Sequence, residues 1–275
     1  MTTLFKRAVA VTVGVGGEGL RVTGLRVTFK ISKTARPEPN ACEVTITNLS
    51  ADHRQKMTLQ DGVPVVLEAG YEGDLKQIFR GDMLLGKHAR QGTDWVTNLH
   101  AGDGAKATRT SKITESFEAG AKKKAVAKRL LETMKINVKD AIAKVNSVNL
   151  AAGAEQFAKG VSLDGQTANE LSGVLAGMGL TWSIQDGAAQ VLEKGKSNGG
   201  KAVVLSPSTG MVGSPEAGEK GYVKVRSLLN ALIVPGGSVV LDSQAFKGTF
   251  VVEKVEHHGD THGSDWYTDA EVLPS

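Results

Sequence analysis

Leu25-Arg26-Val27-Thr28-Phe29-Lys30-Ile31-Ser32 alternates apolar and polar side chains, and Cys42-Glu43-Val44-Thr45-Ile46-Thr47 resumes the alternation after a loop at Pro37-Glu38-Pro39-Asn40. A period of two sends successive side chains to opposite faces of a strand. These runs therefore predict antiparallel strands with an apolar face and a wet face, as in a sheet or barrel packed on one side. Upstream, Val9-Ala10-Val11-Thr12-Val13-Gly14-Val15 keeps the same period and ends in a turn at Gly16-Gly17-Glu18-Gly19. Downstream, further strands are expected at 63–67, 78–85 and 95–99. Asn48-Leu49-Ser50 opens a short polar helix or turn through Met57, with Ser50 as its cap. An isolated strand pair is marginal in water, whereas about six strands around one core are stable.

The pattern changes near residue 105. Residues 118–134 are rich in Ala, Lys, Leu and Glu, with Val126, Leu130 and Met134 on one helical stripe. Thr167-Ala168-Asn169-Glu170 fits a capping box. Leu171, Val174, Leu175 and Met178 follow at helical spacing, and Gly177 and Gly179 mark the end. Leu180-Thr181-Trp182-Ser183-Ile184-Gln185 and Ala189-Gln190-Val191-Leu192-Glu193 flank Asp186-Gly187, a favoured two-residue hairpin turn. After a loop at 195–200, apolar runs return at 203–205, 223–225, 239–241 and 250–255. They are separated by Ser206-Pro207-Ser208-Thr209-Gly210, Gly213-Ser214-Pro215, Pro235-Gly236-Gly237 and Lys247-Gly248. The expected fold class is mainly β with an α+β insert. Residues 1–105 form a first β-barrel domain, 106–200 the insert and 201–275 a second β-barrel region, the two β units sharing one topology.

Thirty-three glycines among 275 residues exceed an average usage of about 7%, which suits many short strands joined by tight turns. The single Cys42 excludes an internal disulfide framework and points to synthesis in a reducing compartment. No apolar run approaches the ~20 residues of a membrane span, and the first residues carry no secretory signal pattern. The net charge is +4, and the clearest basic cluster is Lys122, Lys123, Lys124, Lys128 and Arg129. With no aromatic side chain interleaved, it reads as a solvated helix face rather than a nucleic-acid site.

One constellation invites a chemical reading: His257-His258-Gly259-Asp260-Thr261-His262-Gly263-Ser264-Asp265. Imidazoles and carboxylates at this density can hold a transition metal. The competing reading is a strand over 251–256 followed by its polar exit turn, which would leave the ligands without supporting contacts. The expectation is no metal at His257, His258, Asp260 or His262. Gly14-Val15-Gly16-Gly17-Glu18-Gly19 looks like a dinucleotide fingerprint but precedes a strand, not a helix. Nucleophile-elbow, phosphate-loop and His-Glu-x-x-His motifs are absent. No catalytic, cofactor-binding or metal-binding residue is therefore expected.

Two groups of segments resemble phage-tail baseplate hub proteins. The first runs from Val27-Thr28-Phe29-Lys30-Ile31 to Asn40-Ala41-Cys42-Glu43-Val44-Thr45-Ile46-Thr47-Asn48-Leu49-Ser50, with Trp95-Val96-Thr97-Asn98-Leu99 and Gly102-Asp103-Gly104. The second comprises Ser206 to Pro215, Leu228-Leu229-Asn230 to Pro235-Gly236, and Gly248 to Asp260 with Trp266-Tyr267-Thr268. The hairpin carrying Trp182, Asp186 and Gly187 also fits. The resemblance implies a non-enzymatic virion protein of the tail baseplate, assembled in the host cytoplasm. It further implies a homotrimer whose six β-barrels form a pseudo-sixfold ring joining the hexameric tail tube, or a distal tail protein, to the central spike. The tape-measure protein and other baseplate subunits would be its other partners, and DNA only passing cargo. Some hubs carry a lysozyme-like or peptidase segment, and none is recognised in this chain. A second reading is an adaptor or carbohydrate-binding β module of a related injection machine. That reading needs exposed aromatic platforms, and the chain has three Trp and three Tyr.

Overall fold

The computed structural model describes residues 6–14 and 19–275. Val15 and residues 16–18 of the turn expected at 16–19 lie outside the described residues, as does most of the glycine string that begins at Gly14. The alternating runs of the first hundred residues become β1 (Arg7–Val13), β2 (Leu20–Val22), β3 (Val27–Thr34), β4 (Asn40–Thr47), β5 (Pro64–Tyr71), β6 (Asp74–Gln91) and β7 (Asp94–Asp103). They pair antiparallel in the order β2-β1-β5-β6-β7-β4-β3. Phe29 faces Val44 and Ile31 faces Cys42 across β3 and β4. These side chains enter one core with Val9, Val11, Leu67 and Leu99 from the other strands. α1 (Ala51–Lys56) follows β4, and Ser50 caps it as expected, its hydroxyl accepting from His53 N at 3.2 Å.

The middle of the chain builds a second core around α3 (Lys123–Thr133) and α5 (Thr167–Ala176), where Val126, Leu130, Leu171 and Leu175 bury their apolar stripes. Around them lie α2 (Ala105–Thr110), β8 (Lys112–Phe117), α4 (Lys139–Ser147), β9 (Val161–Gln166), β10 (Leu180–Gln185) and β11 (Ala188–Glu193). Two expectations need correction here. The helix expected from Glu118 starts at Lys123, because the chain turns first at Gly120, whose φ is +85°. The capping box at Thr167 does not form. Ser111 O accepts from Thr167 N at 3.1 Å, so Thr167 becomes the first helical residue, with Gln166 as the cap position. The buried Thr167 hydroxyl has no hydrogen-bond partner among the described residues. The hairpin is as expected, Asp186 and Gly187 both taking the positive φ of a type I′ turn.

The last third forms β12 (Val203–Leu205), β13 (Met211–Ala217), β14 (Val223–Leu228), β15 (Ser238–Asp242), β16 (Lys247–Asp260) and β17 (Trp266–Pro274) around a third core. Residues 213–215, expected as a separator, instead lie inside β13. Pro215 is tolerated there because β13 is an edge strand, pairing among the described residues only with β14, through a bulge between Val212 and Glu216. β16 also runs past its expected end. Residues 254–260 pair with 28–34 of β3, from Lys254–Thr34 to Asp260–Thr28. The first and last β regions thus share one 13-stranded sheet, an open path from β13 to β2 whose ladder does not close among the described residues. Leu229 and Trp266 of the last third sit in the first core, where Trp266 meets Phe29 edge-on at 5.7 Å.

Candidate functional site

The densest polar cluster lies where the β10–β11 turn meets the first β region. Lys33 continues the inward period of Phe29 and Ile31, so its stem enters the core and only 2% of the residue is exposed. Its ammonium reaches Asp186 Oδ2 at 2.8 Å, and Asp186 Oδ1 accepts from Arg80 N at 3.0 Å. Asp103, fully buried at the end of β7, accepts from the backbone N–H groups of Asp186 at 2.5 Å and Gly187 at 2.9 Å. Asn40 Nδ2 donates to Ile184 O at 2.7 Å, and Gln185 Nε2 donates to Thr34 O at 2.7 Å. Gly104 brings the body close, since a Cβ there would lie 2.3 Å from Ile184 Cδ1. Every group in this set is occupied by holding the hairpin. None of these side chains forms a nucleophile–base pair open to a substrate.

Burial raises the Asp103 carboxyl to about 6 despite its two N–H donors and nearby Lys33. The seat thus joins Asn40, Asp103, Asp186 and Gly187, residues that lie in separate strings of the sequence. Lys33 and Gln185 carried no motif. The signal for Lys33 was a lysine on the inward phase of a strand, which requires a buried partner.

The histidine-rich stretch is divided between the two faces of β16. His257 is 1% exposed, with Nδ1 2.9 Å from Thr268 Oγ1 on β17. His258 points to the other face, with Nε2 3.4 Å from Glu256 and 3.6 Å from Asp269. Gly259 leaves the space that the Phe29 ring fills. Asp260 accepts from Arg26 Nη2 at 2.8 Å and from His262 N at 2.9 Å. The expectation of a strand ending at 256 is corrected accordingly: pairing with β3 and β17 carries it to Asp260, and only 261–265 form the turn. Among the described residues no group of three or more His, Cys, Asp or Glu is arranged to hold a metal.

Burial holds His257 near 3, well below an ordinary imidazole. The unfolded chain takes up this proton around pH 6.5 and the folded chain only near 3, so protonation favours unfolding and stability falls as pH drops between these values. Asp103 acts in the opposite sense, because its folded value lies above its unfolded one: its contribution rises as pH falls from about 6 towards roughly 3.9. Urea unfolding of His257→Gln across this window should show an acid-side loss smaller by up to about 1.4 kcal/mol per pH unit. Superimposable profiles for variant and wild type would refute the assignment.

Four of the five members of the insert's basic cluster have partners within the chain, Lys128 through Glu132 at 3.8 Å. Lys124 Nζ donates to Asn146 O at 2.8 Å, Arg129 Nε to Glu115 Oε1 at 2.9 Å, and Lys123 lies 5.8 Å from the Phe157 ring, an aromatic neighbour that the sequence reading did not foresee. Among the described residues no helix is long and apolar enough to cross a membrane.

The family model described as baseplate hub gp41 matches residues 8–272. No curated protein matches the sequence significantly. Among solved structures, the chain resembles the 43 kDa tail protein of prophage MuSo2 from Shewanella oneidensis, at 10% identity and TM-score 0.68, covering 98% of each chain. It resembles a tail protein from Neisseria meningitidis MC58 at 11% identity and TM-score 0.65, covering 98% of this chain and 96% of that one. It also resembles the c3393 protein of E. coli, a type VI secretion component described as similar to T4 tail proteins gp27 and gp5. That match has 13% identity and TM-score 0.62 and covers 98% of this chain and 77% of the other. At such identities these likenesses concern the fold.

Proposed function

The chain belongs to the baseplate hub gp41 family, and from that premise we propose that three copies close into a ring joining the tail tube to the central spike. A structural role in the tail baseplate, rather than catalysis, follows from the family itself. The ring is our reading. In it, residues 1–105 and 201–275 act as two barrel-like units and 106–200 as an insert, so that three subunits offer six units to a hexameric tube. Three core clusters support this division, the first also taking in Leu229 and Trp266 from the last third. Tube or distal tail protein, spike, tape-measure protein and other baseplate subunits are the partners, with DNA as passing cargo. The virion tail is the location.

The observation that carries the reading is the seam between β16 and β3. Backbone pairing across it joins the two β units in one continuous sheet, which suits a repeat that transmits load between tube and spike. The native mass of the purified protein, alone and with its tube and spike proteins, tests it. Three copies of 28.9 kDa in the complex are expected, and one copy per spike in the saturated mixture contradicts it. The carbohydrate reading loses support because Trp182 and Trp266 are 1% and 2% exposed, which removes two of three tryptophan platforms.

We also propose that the 257–262 stretch holds no metal, since its side chains diverge and Asp260 is engaged by Arg26. Stoichiometric zinc, iron or nickel by elemental analysis, lost in His257→Ala or His262→Ala, would overturn this.

A further inference from the structure

Asn48-Leu49-Ser50 and Trp95 meet at one end of the first β region, where α1 lies against the β6–β7 hairpin. Asn48 takes a positive φ of 59°. Its Nδ2 donates to Asp94 Oδ1 at 3.0 Å, and its Oδ1 accepts from Trp95 N at 3.0 Å. Its own N–H donates to Trp95 O at 2.7 Å. Leu49 is buried in the core, and its carbonyl accepts from the Arg54 guanidinium. His88 ties α1 to the hairpin, with Nδ1 2.9 Å from Thr97 Oγ1 and Nε2 3.1 Å from Arg54 O. The result is a fixed platform on which the Arg54 guanidinium lies 4.1 Å from the Trp95 ring centre and that of Arg90 lies 5.9 Å away.

Neither arginine has a carboxylate partner among the described residues. The nearby acids are engaged, Asp94 by Asn48 and Asp52 by Lys56 at 2.9 Å. A guanidinium held against an indole keeps N–H groups at its edge for a carboxylate, which it binds in bidentate fashion. Holding Arg54 in advance lowers the ordering cost of binding.

We propose that the Arg54–Trp95–Arg90 platform docks an acidic segment of a partner protein through its carboxylates. Nucleic acid fits less well, because the Trp95 face on which a base would stack is already covered by the Arg54 guanidinium. The platform is complete within one subunit, so the proposal goes beyond the ring reading and does not depend on its copy number.

The test uses the whole protein and a fluorescein-labelled octapeptide of glutamates, followed by anisotropy at low salt. Saturable binding is expected, weakening as salt screens the charges. The Arg54→Gln/Arg90→Gln double variant should bind at least about tenfold more weakly, and Lys122→Gln/Lys124→Gln should bind as the wild type does. Because Arg54 also bonds the Leu49 carbonyl, the exposed single variant Arg90→Gln is measured alongside and should weaken binding without shifting the melting temperature. Overturning results are no saturable binding by the wild type, binding as tight as the wild type's by Arg90→Gln or by the double variant, or tighter binding of a single-stranded oligonucleotide lost in the same variants.

Discussion

Asp103→Ala is expected to lower unfolding free energy by about 3 kcal/mol, measured by urea denaturation at neutral pH. Above its value of about 6 the carboxylate is ionised and accepts from two backbone N–H groups in the hairpin turn. Alanine takes the acceptor from both donors, a penalty of roughly 1–3 kcal/mol for each, at the lower part of that range because Asp186 and Gly187 are only half-buried. Asp103→Asn keeps one acceptor oxygen but sets an amide N–H₂ beside a donor, so an intermediate loss is expected. Amide exchange should localise the effect, with Asp186 and Gly187 losing protection before the β16–β3 seam does. Lys33→Met should cost less, because its partner Asp186 keeps 29% of its side chain in water. If Asp103→Ala unfolds at the wild-type midpoint, the hairpin is not held by this carboxylate.

Gly259→Val should cost about 3 kcal/mol by a different route, overpacking rather than lost hydrogen bonds. Gly259 shares the inward phase of β16 with His257, and a Cβ there would stand 2.2 Å from Phe29 Cζ. Phe29 in turn packs edge-on against Trp266, so the ring cannot retreat without disturbing the core between the two β regions. Gly259→Ala should be milder, and Phe29→Leu should partly relieve it in a double-mutant cycle. Strict additivity of the two changes would show that they do not meet.

The inward sets of β3 and β4, the face of α5, the Asp186-Gly187 hairpin and the Ser50 cap were legible because each rests on local periodicity or turn chemistry. Which strands lie side by side was not. Alternation assigns Val255 and His257 to a face, but nothing local reveals that β16 will pair with a strand more than 200 residues earlier. That pairing converts His257 to Asp260 from exit turn to strand, and it explains the string residue by residue. His257 bonds Thr268, Gly259 makes room for Phe29, and Asp260 pairs with Arg26. The hairpin seat was hidden for the same reason. Asn40, Asp103 and Asp186 stood in separate strings, and only the fold brings them together. The misplaced start of α5 is a smaller case, in which Ser111 O captured the Thr167 N–H.

Assembly as a closed ring of three copies can be seen directly by cryo-electron microscopy of intact tails that contain this chain. Three copies in a closed ring at the distal end of the tube, with residues 1–105 and 201–275 alternating around it, are predicted. Any other copy number, or density for the chain away from that junction, would contradict it.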